Sequence, residues 1–566
     1  MDTIIEIRGL TYGYRGHEDN HVLKGIDLDI PQGEFLAIAG RTGSGKSTLC
    51  YAMMGLVPHS FGGRMEGTVK VCGLDTRDMT PAKMAHNVGI VLQSAESQLV
   101  GLTVEEDVQF GLENIALPAA EIIERSRQAL EVVHLIPYVD SSPWNLSGGQ
   151  KQRLAIASAL AFQPKILILD NPTAELDPLG KEEVLETIAR LNRELGITII
   201  IVDQELHEIT PHADRILILD EGKILAVDTP ENILDQGSLL HDAGVKLPDV
   251  TETGYQLRKK GCWAGKLPVT VEEAGQRIQQ QGLHMAASPL EAIPAAPVGE
   301  PLIQVENLTF HYPNGKSVLK GIDLAIHRGE FITLMGQNGT GKTTLAKHLN
   351  GLLKPAGGKV VVEGMDTLAS SITLLATKVG YVFQNPDHQI FSKTVEEELA
   401  FGPQNLGWPP EQIRTAVASI LKDIGMEDKG KSEPYFMGLA ERKLIAIASV
   451  LVMQPDILVL DEPATGADYG VALRIMRYIS DLHRNGLTVI IITHDVSLAA
   501  NYASRLLVMN DGKVVLDGLP QDVFGQREIL RQCHISLPQV VELSDRLYAL
   551  GLPSRYIRVQ DLVNAF

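Results

Sequence analysis

Apolar residues fall in short unbroken runs along this chain, and several runs stop on a residue able to do chemistry. EFLAIA from Glu34 and EFITLM from Glu330 each lead into a glycine-rich stretch. LILD ends at Asp170, LVLD ends at Asp461, and IIITHD carries His494 just past its isoleucines. Runs this short and apolar predict buried strands, and the helical stretches between them predict a mostly parallel sheet covered by helices. ITIIIV at Ile197–Val202 is also strand-length, well below the roughly 20 residues that span a bilayer. The N-terminal MDTIIEIRGL has no basic region ahead of an apolar core. Work at a membrane would therefore need another chain to supply the membrane part.

The pattern occurs twice. HVLKGIDLDIPQGEFLAIAG from His21 returns as SVLKGIDLAIHRGEFITLMG from Ser317, and Asp170 lies 291 positions from Asp461, as Gln93 does from Gln384. The repeat continues beyond the chemistry-bearing parts, since KLPDVTETGYQLRKKG (Lys246–Gly261) echoes SLPQVVELSDRLYALG (Ser536–Gly551). A chain of 566 residues is too long for one core. The expected division is a first domain over 1–235 with an extension over 236–279, an Ala- and Pro-rich linker over 280–300, a second domain over 301–524 and its extension over 525–566.

Composition narrows the partners. A net charge of −20 argues against a nucleic-acid-coating surface and leaves neutral ligands, nucleotide–Mg²⁺ complexes or a basic protein partner open. Cys50, Cys72, Cys262 and Cys533 show neither paired spacing nor neighbouring histidines, so a disulfide framework, a zinc site and an iron–sulfur cluster lack support.

GRTGSGKST (Gly40–Thr48) and GQNGTGKTT (Gly336–Thr344) both match G-x-x-x-x-G-K-[ST] between a strand and a helix. Gly40, Gly43 and Gly45, and likewise Gly336, Gly339 and Gly341, let backbone N–H groups wrap a phosphate. Lys46 and Lys342 reach the outer phosphates, Thr48 and Thr344 follow in the first turn, and Ser47 and Thr343 can ligate Mg²⁺. Asp170 and Asp461 supply the carboxylate that holds Mg²⁺, as in P-loop NTPases generally. ATP and Mg²⁺ are the expected cofactors.

NLSGGQKQRLAIASAL from Asn145 resembles the signature of ATP-binding cassette (ABC) ATPases and stands just upstream of LILD, as in that family. The resemblance implies an α/β fold, two P-loop (RecA-like) nucleotide-binding domains in tandem, each with a helical signature subdomain and a small C-terminal extension. By position it implies that Tyr14 and Tyr312 stack on adenine and that Gln93 and Gln384 sense the γ-phosphate and Mg²⁺. It also implies that Asp177 and Asp468 are D-loop aspartates and that His494 is the switch histidine. VLQSAESQLVGLTVEEDVQFGLEN (Val91–Asn114) and VFQNPDHQIFSKTVEEELAFGPQN (Val382–Asn405) are similar to the ATPases of energy-coupling factor transporters, and the LP-x-V tails resemble the regions by which those ATPases pair. Such ATPases drive a transmembrane scaffold subunit and a substrate-binding membrane subunit from the cytoplasmic face of the membrane, and import vitamins or transition-metal ions. The competing expectations are a soluble tandem-cassette ATPase acting on ribosomes or nucleic acid, and the ATPase of an efflux transporter. The first would be expected to carry a charged linker, a basic insertion or clustered cysteines, none of which is visible.

The two halves differ where that family keeps its catalytic groups. The first has Asn171 where the second has Glu462, and Gln204 where the second has His494. A carboxamide cannot take a proton from water, whereas a carboxylate can. Conversely, the second signature has Gly438, Leu439, Ala440 and Glu441 at the positions of Ser147, Gly148, Gly149 and Gln150 in the first. In this family ATP is sandwiched between the phosphate loop of one cassette and the signature of the other. Sorted by site, all three losses then fall together, leaving one competent site built on Lys342, Gln384, Asp461, Glu462, His494 and Ser147.

Overall fold

The computed structural model describes residues 2–174, 176–203, 205–283, 300–313, 315, 317–552 and 554–566. Most of the linker expected over 280–300, and Gln204, lie outside the described residues. The chain forms two compact units, Met1–Ala274 with Asp468–Gly470, and Gly275–Ala467 with Val471–Phe566.

In the first unit a six-stranded sheet runs in the order Lys223–Asp228, Arg215–Asp220, Phe35–Ala39, Thr198–Val202, Ile166–Asp170 and Val88–Val91. All neighbours are parallel except the hairpin formed by the first two. Phe35–Ala39, Ile166–Asp170 and Thr198–Val202 are buried at every position, as strands covered on both faces must be. The second unit repeats the order with Lys513–Gly518, Arg505–Asn510, Phe331–Met335, Thr488–Ile492, Ile457–Asp461 and Val379–Val382.

Each unit also carries a four-stranded antiparallel sheet that the apolar runs did not announce. Its order is Leu23–Pro31, Thr3–Gly13, Arg64–Val71 and Leu74–Asp75 in the first unit. In the second it is Ser317–Ile326, Ile303–His311, Gly357–Val362 and Met365–Asp366. Leu23–Pro31 alternates buried and exposed positions, the period of a strand with one face on the core. Ile5, Ile7, Leu28 and Ile30 from this sheet share one cluster with Leu36, Ile38 and Ile168 of the parallel sheet and Leu49 of the helix between them. The helix that follows the phosphate loop is thus clamped between two sheets, and its N-terminus is held in place.

A helical subdomain completes each unit, with Val104–Asn114, Ala119–Val132 and Gly148–Leu160 in the first and Val395–Asn405, Pro410–Asp423 and Leu439–Leu451 in the second. The extensions fold as helices, Asp249–Lys259 in the first half and Gln539–Tyr548 in the second. Buried hydroxyls fix them: Thr251 Oγ1 donates to Pro268 O at 2.7 Å, and Ser544 Oγ accepts from Tyr556 N at 2.7 Å. Among the described residues no helix is long and apolar enough to cross a membrane.

Candidate functional site

Both glycine-rich loops leave the carboxyl ends of central strands, the place where open α/β sheets bind ligands. Their backbones match closely, with φ of 148°, 81° and 103° at Gly40, Gly43 and Gly45 against 149°, 82° and 103° at Gly336, Gly339 and Gly341. A Cβ on Gly40 would stand 2.0 Å from Leu219 O, so both the positive φ and the space demand glycine there. The helices Lys46–Met54 and Lys342–Leu349 start at Gly45 and Gly341 with no side-chain cap, which leaves their first N–H groups for an anion. The lysines are almost fully buried and cross their own loops. Lys46 Nζ donates to Gly40 O at 2.7 Å and Arg41 O at 2.8 Å, and Lys342 Nζ donates to Gly336 O at 2.7 Å and Gln337 O at 2.8 Å. Burial lowers the Lys46 pKa against the pull of Asp170.

Asp170 and Asp461 close their strands beside these loops, and burial raises both carboxyl pKa values. The Ser47 hydroxyl hydrogen-bonds to Asp170, while Asp170 Oδ1 is buried with no hydrogen-bond partner among the described residues. In the second unit Thr343 Oγ1 donates to Asp461 Oδ2 at 2.9 Å, and Tyr381 OH donates to the same oxygen at 2.9 Å. A hydroxyl, a buried carboxylate and an unpaired carboxylate oxygen form the hard-oxygen set that Mg²⁺ prefers, so these residues fit that ion. Gln93 and Gln384 are exposed just beyond Val88–Val91 and Val379–Val382.

The next residue separates the units chemically but not in backbone. Asn171 and Glu462 both take φ of 50° and donate their N–H across to the neighbouring strand, Asn171 to Val202 O at 2.8 Å and Glu462 to Ile492 O at 2.9 Å. Asn tolerates this left-handed conformation better than Glu, so the glutamate is held there by its surroundings. Glu462 Oε1 accepts from His494 Nδ1 at 2.8 Å, and Oε2 accepts from Thr465 Oγ1 at 3.0 Å and Thr493 Oγ1 at 3.2 Å. Burial resists its ionisation, but the charge and hydrogen bond of His494 prevail and its pKa is lowered. A buried, ionised carboxylate oriented by a histidine can accept a proton from water.

At the first signature Ser147 caps the helix Gly148–Leu160. Its Oγ accepts from Gln150 N at 3.3 Å, and Gln150 Oε1 accepts from Ser147 N at 2.9 Å. Gly149 is packed so that a Cβ would lie 3.2 Å from Gly180 Cα. At the second signature Gly438 brings no hydroxyl. Glu441 Oε2 accepts from Gly438 N at 3.2 Å, and Lys429 hydrogen-bonds the same carboxylate and lowers its pKa. The first helix N-terminus therefore carries a neutral cap, whereas the second already holds a carboxylate, paired with Lys429, at its first N–H groups.

Tyr14 and Tyr312 flank the loop helices, with Tyr14 OH 3.0 Å from Thr48 Oγ1 and Tyr312 OH 3.2 Å from Thr344 Oγ1. Their rings meet Tyr12 and Phe310 edge-on.

Sequence reasoning missed three partners. Tyr381 is the polar residue of VGYV, opposite Ile90 in VGIV, and that contrast could have flagged it. The Glu441 charge at a signature position was visible, but its Lys429 partner was not. Arg41, second in the first loop, pairs with Asp220 at 2.7 Å and donates to Asp242 O in the extension at 2.5 Å.

Two phosphate-binding loops on strand–helix turns, each backed by a strand-ending aspartate, define a P-loop nucleotide-binding ATPase. The family described as ABC transporter matches residues 23–174 and 319–465. The chain is 40% identical over 552 residues to an ABC transporter ATP-binding protein of Caldanaerobacter subterraneus subsp. tengcongensis, covering 96% of each chain. It is 37% identical over 556 residues to another from Methanosarcina mazei, covering 96% of this chain and 94% of that one. One solved structure, cbiO1 from Clostridium perfringens, part of the ABC transporter complex cbiONQ, shares 36% identity over 44% of this chain and 100% of its own, with a TM-score of 0.39. This chain belongs to the ABC transporter family. It is an ATP-binding component with two tandem cassettes, an ATPase that uses ATP with Mg²⁺.

Proposed function

We propose that this chain is the energy-coupling ATPase of an energy-coupling factor type importer for a vitamin or transition-metal ion. It works at the cytoplasmic face of the membrane with a transmembrane scaffold subunit and a substrate-binding membrane subunit. One of its ATP sites is competent and the other is degenerate. The importer type is supported by the segments after Gln93 and Gln384 and by the duplicated LP-x-V tails. The asymmetry is carried by one observation, the bonding of Glu462 to His494 at 2.8 Å where the first cassette has Asn171.

In this reading the cassettes pair head to tail within one chain. The second phosphate loop faces the intact signature, and the first faces the altered one. Glu462 takes the proton of the attacking water, and His494 orients that carboxylate. Lys342, the Ser147 hydroxyl and the N–H groups of Gly148 and Gly149 hold charge on the transferred phosphoryl group. Thr343 and Asp461, with Gln384 as a further candidate ligand, would hold Mg²⁺, which would supply positive charge against the phosphates. At the other site Asn171 leaves no base and Glu441 opposes the phosphate, so that nucleotide is retained for binding. Opening and closing of the pair moves the scaffold subunit.

Affinity purification of the tagged chain from membranes of its native host tests the importer reading. Recovery with one scaffold-type and one small substrate-binding membrane protein is expected. Recovery with ribosomes, or with no membrane subunit, would overturn it.

A further inference from the structure

Lys443 sits in the second turn of the helix Leu439–Leu451, two residues past the altered signature, and is 5% exposed. A buried ammonium must spend its three N–H bonds inside the protein. Lys443 Nζ spends them on one short loop, donating to Glu462 O at 3.1 Å, Pro463 O at 3.2 Å and Thr465 O at 2.5 Å. The gripped residues are those that place the Glu462 carboxylate. Glu462 is in the left-handed region at φ 50°, and Thr465 Oγ1 donates to its Oε2. The lysine therefore ties three carbonyls of a loop whose first residue is held against its own backbone preference.

The first cassette has Gln152 at the same helical place. Gln152 is 3% exposed, and its Nε2 is buried with no partner among the described residues. There the loop begins with Asn171 in place of the base, so its first residue needs no comparable hold. The charged groups of the same turn point elsewhere: Arg442 pairs with Asp387, and Glu441 pairs with Lys429. The charged side chain facing the ammonium is Glu462, itself bonded to His494.

We propose that Lys443 is a positioning residue for ATP hydrolysis, fastening the Glu462–Thr465 loop to the second signature helix so that the setting of that helix reaches the water-activating carboxylate. This rests on the reading of Glu462 as the base. It adds a route by which the altered signature of one site influences chemistry at the other through a single helix. Burial lowers the Lys443 pKa to about 8 against the attraction of Glu462, so the grip weakens as pH rises through about 8. Displacement of a reacting group by about 1 Å can cost about 10²-fold in rate, which sets the scale of the effect.

The test compares Lys443→Met, Lys443→Gln, Lys443→Arg and Glu462→Gln in the complete chain, reading MgATP affinity, KM, kcat and the pH dependence of kcat. Lys443→Met and Lys443→Gln are expected to lower kcat about 10- to 100-fold with KM and MgATP affinity within about twofold. Lys443→Arg keeps a cation at all accessible pH. It is expected to recover much of the rate and to lack the fall in activity near pH 8 that is expected of the unaltered chain. Wild-type kcat in Lys443→Met beside an inactive Glu462→Gln overturns the role of Lys443 alone. Wild-type kcat in Glu462→Gln overturns the underlying assignment of the base. If Lys443→Met fails to fold, an unchanged alkaline fall in Lys443→Arg overturns the proposal.

Discussion

His494 Nδ1 lies 2.8 Å from Glu462 Oε1, so the residue just past one central strand donates to the carboxylate just past its neighbour. Burial alone would raise the Glu462 pKa, but the charge and hydrogen bond of His494, with the Thr465 hydroxyl and Lys342, together keep it below its ordinary value of 4.5. Replacing His494 with Ala removes the two largest of the contributions that oppose burial, leaving the Thr465 hydroxyl and Lys342. The acid limb of kcat is expected to move to higher pH, with the plateau lowered about 10- to 10²-fold. Stability follows the same sign. A depressed carboxylate stabilises the fold above its unfolded pKa and loses that contribution as pH falls through its folded pKa, so His494→Ala should flatten the acid decline in stability. An unmoved acid limb would show that His494 does not tune Glu462.

Tyr381 donates to Asp461 Oδ2, and its loss leaves a buried carboxylate short of a partner. Tyr381→Phe is expected to destabilise the second unit by about 1–3 kcal/mol and to raise the Mg²⁺ concentration needed for half-maximal turnover. Urea denaturation and a magnesium titration check both. Stability unchanged within error would mean that water replaces the hydroxyl.

Arg41 links the first phosphate loop to the extension through Asp242 O and to the strand Arg215–Asp220 through Asp220. The arginine is partly exposed, which limits its worth. Arg41→Ala is expected to cost about 1 kcal/mol, read by urea denaturation of the nucleotide-free chain. A loss above about 3 kcal/mol would point to a collapsed loop instead of a missing tether.

Ser147 caps its helix and, in the proposed pairing, faces the competent nucleotide. Ser147→Ala is expected to cost about 1 kcal/mol of stability as a lost cap and to lower kcat well beyond that. Gly438→Ser is expected to change turnover little, because Leu439, Ala440 and Glu441 still occupy that signature. Equal effects of the two substitutions would contradict the sorting by site.

The loops, the strand-ending aspartates and the duplication were legible because each is written in contiguous residues with a period or spacing of its own. The antiparallel sheets were harder to see, since strands such as Leu23–Pro31 bury one face only and lack the uniform apolar runs of the central strands. The side-chain partners were not legible at all. Tyr381 meets Asp461 across 80 positions and Arg41 meets Asp242 across 201, contacts fixed by strand order and helix packing. Lys443 reads as an ordinary surface lysine until the fold buries it.

Steady-state phosphate release by Glu462→Gln, measured beside nucleotide occupancy in the complete chain with its membrane partners, tests the central asymmetry most directly. A positioned base contributes about 10² to 10⁴ in rate, so turnover should fall by at least about 10²-fold while nucleotide remains bound at both sites. Adding Asn171→Glu to that variant should restore nothing, because in the proposed pairing the first phosphate loop meets a signature of Gly438, Leu439, Ala440 and Glu441 and its own cassette still has Gln204 in place of the histidine. Retention of half the unaltered rate by Glu462→Gln would mean that both sites hydrolyse, contradicting the assignment of Glu462 as the single working base.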